Sequence, residues 1–187
     1  MNSNGRLPVE IAGLGRYLPE KVLDNHDLEK LVDTSDEWIV QRTGISERRM
    51  AADDEATSDL AVAAARQALD SAGIEGGDLD AVLVATCTPD HHFPATACLV
   101  QAELGAGKAF GADLEAACSG FLFGMSWATS LIGAGMAENV LLVGAETLSR
   151  FTDYTDRRSC ILFGDGAGAA VLRRAQNGGE VIYTELG

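Results

Sequence analysis

Residues 109–136, AFGADLEAACSGFLFGMSWATSLIGAGM, read as a short strand, a tight turn and a helix. Ala109 to Asp113 has strand character, while Ser119 to Met136 carries no charged residue and no clean polar face. A helix that is apolar all round must be covered all round. The stretch therefore predicts a central apolar helix with packing partners on both sides. Its glycines and serines suit close packing in a protein interior, and no apolar run in the chain reaches the ~18 residues of a membrane span.

On either side of this unit, strands and helices alternate. Val9 to Leu14, Leu79 to Ala85, Asn139 to Val143, Ala169 to Arg173 and Glu180 to Glu185 read as strands. Thr34-Ser35-Asp36-Glu37 has the form of a capping box with Thr34 as the cap, opening a helix that Gly44 ends. Thr57 opens an alanine-rich helix running toward Gly73, and Pro94 to Leu104 reads as a helix with proline in its first turn. The alternation predicts an α/β layer with a mixed, mostly parallel sheet. The later strands follow one another without helices, so one edge is expected to be antiparallel. No repeat, linker or low-complexity tract divides the chain, so residues 1–187 read as one unit.

With 14 basic and 28 acidic residues the chain carries a formal charge of −14. That balance excludes nucleic acid and an anionic membrane surface as expected partners. Met1 to Leu7 has no apolar signal-peptide core. The four cysteines, at 87, 98, 118 and 160, form no C-x-x-C pair and have no histidine at ligand spacing. Reduced thiols, a cytoplasmic location and no metal site are the expectation.

Cys118 is the residue best placed for chemistry. It stands at a strand-to-helix turn, the geometry that presents a nucleophile. The positive end of a helix favours thiolate over thiol, and its free N–H groups can hold an oxyanion. A structural cysteine is the equal alternative on physical grounds. Gly164-Asp165-Gly166-Ala167-Gly168 precedes a strand instead of a helix, so it reads as a tight turn and not a phosphate loop. Gly13-x-Gly15 fails the dinucleotide pattern because residue 18 is leucine. His26, His91 and His92 read as solvated surface. Trp38 and Arg42 share a helix face at i, i+4, an arrangement that suits either a half-buried aromatic or a nucleotide.

Taken in order, YLPE (17–20), DTSDEWIVQRTGISER (33–48), DLEAACSGF (113–121), TDR (155–157) and ILFGDGAGAAVL (161–172) resemble β-ketoacyl-acyl-carrier-protein synthase III. The likeness runs from about residue 9 to the end of the chain. It implies the N-terminal half of a thiolase-like fold, and decarboxylative condensation of acetyl-CoA with malonyl-carrier protein through an acyl-cysteine. By this resemblance Cys118 is the acyl-accepting nucleophile. Trp38 and Arg157 sandwich the adenine of coenzyme A, while Thr34 and Arg42 make polar contacts to it. Leu148 and Phe163 wall the acyl pocket, and Phe93 reaches into a neighbouring subunit's pocket. No permanently bound cofactor is implied; acetyl-CoA is a substrate. The implied partners are malonyl-acyl-carrier protein, a second copy, and a chain or segment carrying the C-terminal half with the family's catalytic His and Asn. A related polyketide- or quinolone-type condensing enzyme, a non-catalytic half-domain partner and a fragment are the alternatives.

Overall fold

The structure, a computed structural model, describes residues 8–176. Its elements are β1 (Val9–Tyr17), β2 (Lys21–Asp24), α1 (Asn25–Glu29), α2 (Asp36–Thr43), β3 (Glu47–Met50), α3 (Thr57–Ala72), β4 (Ala81–Ala85), α4 (Thr96–Glu103), β5 (Phe110–Leu114), α5 (Gly120–Gly133), β6 (Asn139–Thr147) and β7 (Asp165–Arg174). Five strands form one mixed sheet in the order β1-β7-β6-β4-β5. β4 pairs in parallel with both β5 and β6, while β7 pairs antiparallel with β6 and with β1. The expected α/β sheet with an antiparallel edge is present. The strand read at residues 180–185 lies outside the described residues.

Period-two alternation assigns each strand residue to a face. Val82, Val84, Leu141, Val143 and Val171 pack with Leu60, Ala61, Ala64, Ala65 and Ala68 of α3. Leu83, Leu142 and Leu172 pack instead with Ala128, Leu131 and Ile132 of α5. All of β4 is buried, as an apolar run between two parallel neighbours requires. Gly13 and Gly15 act at the β1–α3 contact. A Cβ on Gly15 would lie 2.1 Å from the Ala64 carbonyl oxygen, and one on Gly13 would lie 2.2 Å from that of Ala68. Their pairing in the sequence is a packing device.

Three local readings need correction. Ser35, not Thr34, caps α2: its side chain accepts from the Trp38 amide at 3.2 Å, and Thr34 lies one residue outside. Pro94 precedes α4 instead of entering it, and the cap position is Ala95. The first amides of α4 are satisfied from another strand, since Asp113 accepts from Thr96 and Ala97 at 2.8 Å each. Finally, residues 165–168 of the glycine-rich run are part of β7, not a turn before it. Small residues there let the strand pass close to its surroundings: a Cβ on Gly166 would lie 3.3 Å from the Tyr17 carbonyl oxygen. The C-terminal ends of α2 and α3 match expectation, with Gly44 left-handed at φ 73° after α2 and Gly73 likewise at φ 68° after α3.

A smaller layer, absent from the sequence reading, holds α2 in place. β2 and β3 form an antiparallel ladder, and Leu28, Ile39, Cys160 and Ile161 make its core. Arg48 of β3 is buried at its centre. Its guanidinium donates to Asn25 Oδ1 at 2.6 Å and to the Ile161 carbonyl at 2.7 and 3.2 Å. Asn25 in turn donates to Asp36 at 2.8 Å and to the Ile45 carbonyl at 2.9 Å. Burial pulls the Arg48 proton affinity below its usual value. The network ties the first turn of α2 to the segment that precedes Phe163.

Candidate active site

β4 and β5 run side by side, and both chains leave the sheet at the same edge. After β5, a single 3₁₀ turn over Ala117–Ser119 leads into α5. Ala117 has φ 46°, the left-handed region that a residue with a side chain rarely adopts. Such a conformation costs about 1–3 kcal/mol and marks functional turns. The turn leaves Cys118 exposed. Gly120 follows because α5 begins directly over β4: a Cβ there would meet that of Ala85 at 3.1 Å.

The cysteine opens onto a cavity of about 410 Å³. Phe121, Leu148 and Phe163 supply apolar walls, and Cys87 and Glu146 supply polar ones. The structure thus brings Cys118, Leu148 and Phe163 together around one cavity. Asp165 braces the wall from behind. Its carboxylate accepts from the Ser149 amide and hydroxyl at 2.8 and 2.6 Å and from the Ala51 amide at 2.7 Å. Leu148 and Phe163 are thereby fixed through their neighbours.

Glu146 and Cys87 were not found by sequence reasoning. Glu146 accepts from the Cys87 amide at 2.8 Å and from the Thr88 hydroxyl at 2.6 Å. Thr88 also accepts from the Thr147 amide at 2.8 Å, so the ends of β4 and β6 are laced together. A lone carboxylate closing the apolar run NVLLVGAE (139–146) was the available signal. Burial pushes the Cys87 thiol up, and the Glu146 carboxylate adds to the effect.

The second group of residues lies on α2 and the segment before Phe163. The Arg157 guanidinium sits 4.5 Å from the centroid of the Trp38 ring, and that of Arg42 sits 4.7 Å away. Arg157 also reaches Asp33 at 3.7 Å. Thr34 Oγ1 is buried with no hydrogen-bond partner among the described residues. An aromatic face, two guanidiniums and an orphaned hydroxyl suit a ligand with a planar base and phosphates. Only five residues lie between Arg157 and Phe163, so one segment serves both groups.

Phe93 is separate from both. It is 90% exposed in the loop between β4 and α4, alongside exposed His91 and His92. His26 is also at the surface, where its hydrogen bond to Glu29 raises its pKa above the usual value. Among the described residues no cluster of three or more His, Cys, Asp or Glu side chains could hold a metal ion, and no helix is long and apolar enough to cross a membrane.

α5 contrasts with the rest of the fold. Its inner side is packed on the sheet, but Leu122 and Phe123 are 62% and 41% exposed, and Trp127 and Met136 are exposed beside them. The expected cover on its second side is not among the described residues.

Comparison with known proteins places this geometry. The profile of the 3-oxoacyl-[acyl-carrier-protein] synthase III family matches residues 112–187. The β-ketoacyl-[acyl-carrier-protein] synthase III of Caldanaerobacter subterraneus subsp. tengcongensis is 53% identical over 97% of the chain and 55% of the relative. That of Geobacillus kaustophilus is 55% identical over 95% of the chain and 57% of the relative. The chain spans about half the length of the curated relatives it matches. The crystal structure of 3-oxoacyl-[acyl-carrier-protein] synthase III from Aquifex aeolicus superposes with a TM-score of 0.88 at 51% identity, covering 90% of this chain and 55% of that one. The priming β-ketosynthase of the R1128 polyketide pathway gives 0.89 at 39% identity, over 91% and 51%. The fold is the expected thiolase-like α/β fold. Identity above one half along nearly the whole chain, carried on the same arrangement of strands and helices, makes this chain similar to β-ketoacyl-acyl-carrier-protein synthase III over about half of that enzyme's length.

Proposed function

We propose that this chain is the N-terminal, nucleophile-bearing half of an enzyme that starts fatty acid synthesis. The Cys118 sulfur attacks the thioester carbonyl of acetyl-CoA, and the bond to the CoA sulfur breaks. Coenzyme A leaves as its thiol, and the acetyl group remains on Cys118. Splitting condensation through a thioester replaces one hard step by two easier ones. The acetyl group then joins malonyl-acyl-carrier protein with loss of carbon dioxide. Groups outside this chain, the family's His and Asn, drive that second step.

The observation that carries this reading is the cavity: Cys118 opens on an apolar chamber of about 410 Å³, walled by Leu148 and Phe163. Trp38 and Arg157 take the adenine, with Thr34 and Arg42 on the polar parts of coenzyme A. The buried, unpartnered Thr34 hydroxyl supports such a contact. Exposed Phe93 is available to a second copy of the chain, in keeping with a homodimer. Acetyl-CoA is consumed, with no permanently bound cofactor, in the cytoplasm. Polyketide-type priming is the lesser reading, because the R1128 ketosynthase is 39% identical against 51–55% for the synthases III.

The test is intact mass before and after acetyl-CoA, with peptide mapping. One acetyl group on Cys118, lost in Cys118→Ala while CoA binding stays within about twofold, is the expected result. Labelling retained in Cys118→Ala rejects the assignment. Coenzyme A binding without labelling would favour a non-catalytic half-domain.

A further inference from the structure

Cys87 has no part in the acyl chemistry above, yet it shares the Cys118 cavity. It lies two residues beyond β4, and Cys118 lies four beyond β5. The two strands are hydrogen-bonded neighbours, and their pairing continues past the sheet: the Thr86 amide donates to the Leu114 carbonyl at 3.1 Å. Adjacent strands stand about 4.7–4.9 Å apart, within the Cα separation of about 4.4–6.8 Å that a disulfide spans. The turn at Ala117 then leads into α5, whose first residue, Gly120, seats against Ala85 at the end of β4, and Cys87 and Cys118 line one cavity. Burial and the Glu146 carboxylate hold the Cys87 thiol above its usual range, and the Ala117 amide offsets only part of that.

We propose that Cys87 is the resolving thiol for an oxidised Cys118, so that peroxide closes a reversible Cys87–Cys118 disulfide across the cavity. The two thiols differ in the way this requires. Cys118 is exposed, whereas Cys87 is half-buried beside Glu146. Hydrogen peroxide therefore meets Cys118 first. The Cys118 thiolate attacks one peroxide oxygen, the O–O bond breaks, and hydroxide leaves, giving a sulfenic acid. The Cys87 sulfur then attacks the sulfenic sulfur. The S–O bond breaks, an S–S bond forms, and the hydroxyl leaves with the Cys87 proton as water. Sulfur is oxidised and peroxide is reduced, so no other reactant is needed. The disulfide withdraws the nucleophile and protects it from irreversible oxidation to the sulfinic acid. Cys98 on α4 and buried Cys160 in the small layer line no part of this cavity.

The test treats the full chain with hydrogen peroxide, blocks free thiols, and reads intact mass and mapped peptides. Expected is a loss of about 2 Da, restored by dithiothreitol, with a Cys87–Cys118 cross-linked peptide. In Cys87→Ser the cross-link is gone, and Cys118 sulfinic acid, heavier by about 32 Da, rises about tenfold. Cys87→Ala provides the same readout should the serine variant fold poorly. Sulfinic acid on wild-type Cys118 without cross-linked peptide would overturn the proposal. So would a Cys118 link to Cys98, to Cys160 or to a second chain. Acetyl labelling is measured separately: a disulfide that forms in a chain acetyl-CoA does not label sinks the acyl reading and leaves this one standing.

Discussion

The two faces of the central sheet are built from the same strands but finished differently. On one face α3 and α4 close a core of small, interlocking residues, and glycines 13 and 15 let α3 touch the β1 backbone. On the other, α5 covers the sheet with its inner side and presents Leu122, Phe123 and Trp127 outward. The first face is a finished core, and the second is half of one. An apolar surface of that kind marks an interaction site. The cysteine turn stands at the start of α5, so the exposed Cys118 thiol belongs to the unfinished side.

Neighbouring residues on β6 test this contrast most strongly. Leu141 faces α3 and Leu142 faces α5, and both are fully buried. Truncating either to alanine costs about 2–5 kcal/mol, depending on how far the site can collapse. Leu141→Ala is expected at the upper end and Leu142→Ala at the lower, because α5 is held from one side only. Urea midpoints decide, and the reverse order would break the comparison. Next in size is Gly15→Ala, where an added Cβ meets the Ala64 carbonyl. A loss of about 1–3 kcal/mol is expected, and an unchanged midpoint would mean that α3 is free to shift. Asp113→Ala removes both hydrogen bonds to the start of α4, for an expected loss of about 1–2 kcal/mol in the same assay. The smallest effect on stability is expected on the outer side of α5. Phe123→Ser should move the midpoint by no more than about 0.5 kcal/mol while reducing self-association in sedimentation velocity. A large stability loss with unchanged association would show that this side is already covered.

The strands of the sheet were legible because β4 and β6 are buried runs whose length and neighbours leave little alternative. The apolar character of α5 disclosed that one of its sides needs a partner. Cys118 was legible twice over, from its place at a strand-to-helix turn and from the motif around it. The small β2–β3 layer was not. Glu47–Met50 reads ERRM, and nothing in that charged tetrapeptide announces a strand; Arg48 is buried there only because Asn25 and the Ile161 carbonyl accept from it. The cap of α2 was misplaced by one residue, since Thr34 and Ser35 are chemically equivalent candidates and only backbone geometry separates them. The Asp113 cap on α4 was invisible for another reason: its donor and acceptor are 17 residues apart. Glu146 and Cys87 join the Cys118 cavity from other strands in the same way.

The β1–β7 ladder has a consequence for the order of events during synthesis. Val9 pairs with Arg174 and Tyr17 with Ala167, so the first strand of the sheet to leave the ribosome is hydrogen-bonded only to the last of the described strands. At about 5–20 residues per second, β1 waits roughly ten to thirty seconds for that partner. α3 emerges much sooner, and its close seat on Gly13 and Gly15 can shelter one side of the waiting strand. The glycines that set the packing distance in the folded state thus also give the nascent chain an early, local contact before its longest-range one can form.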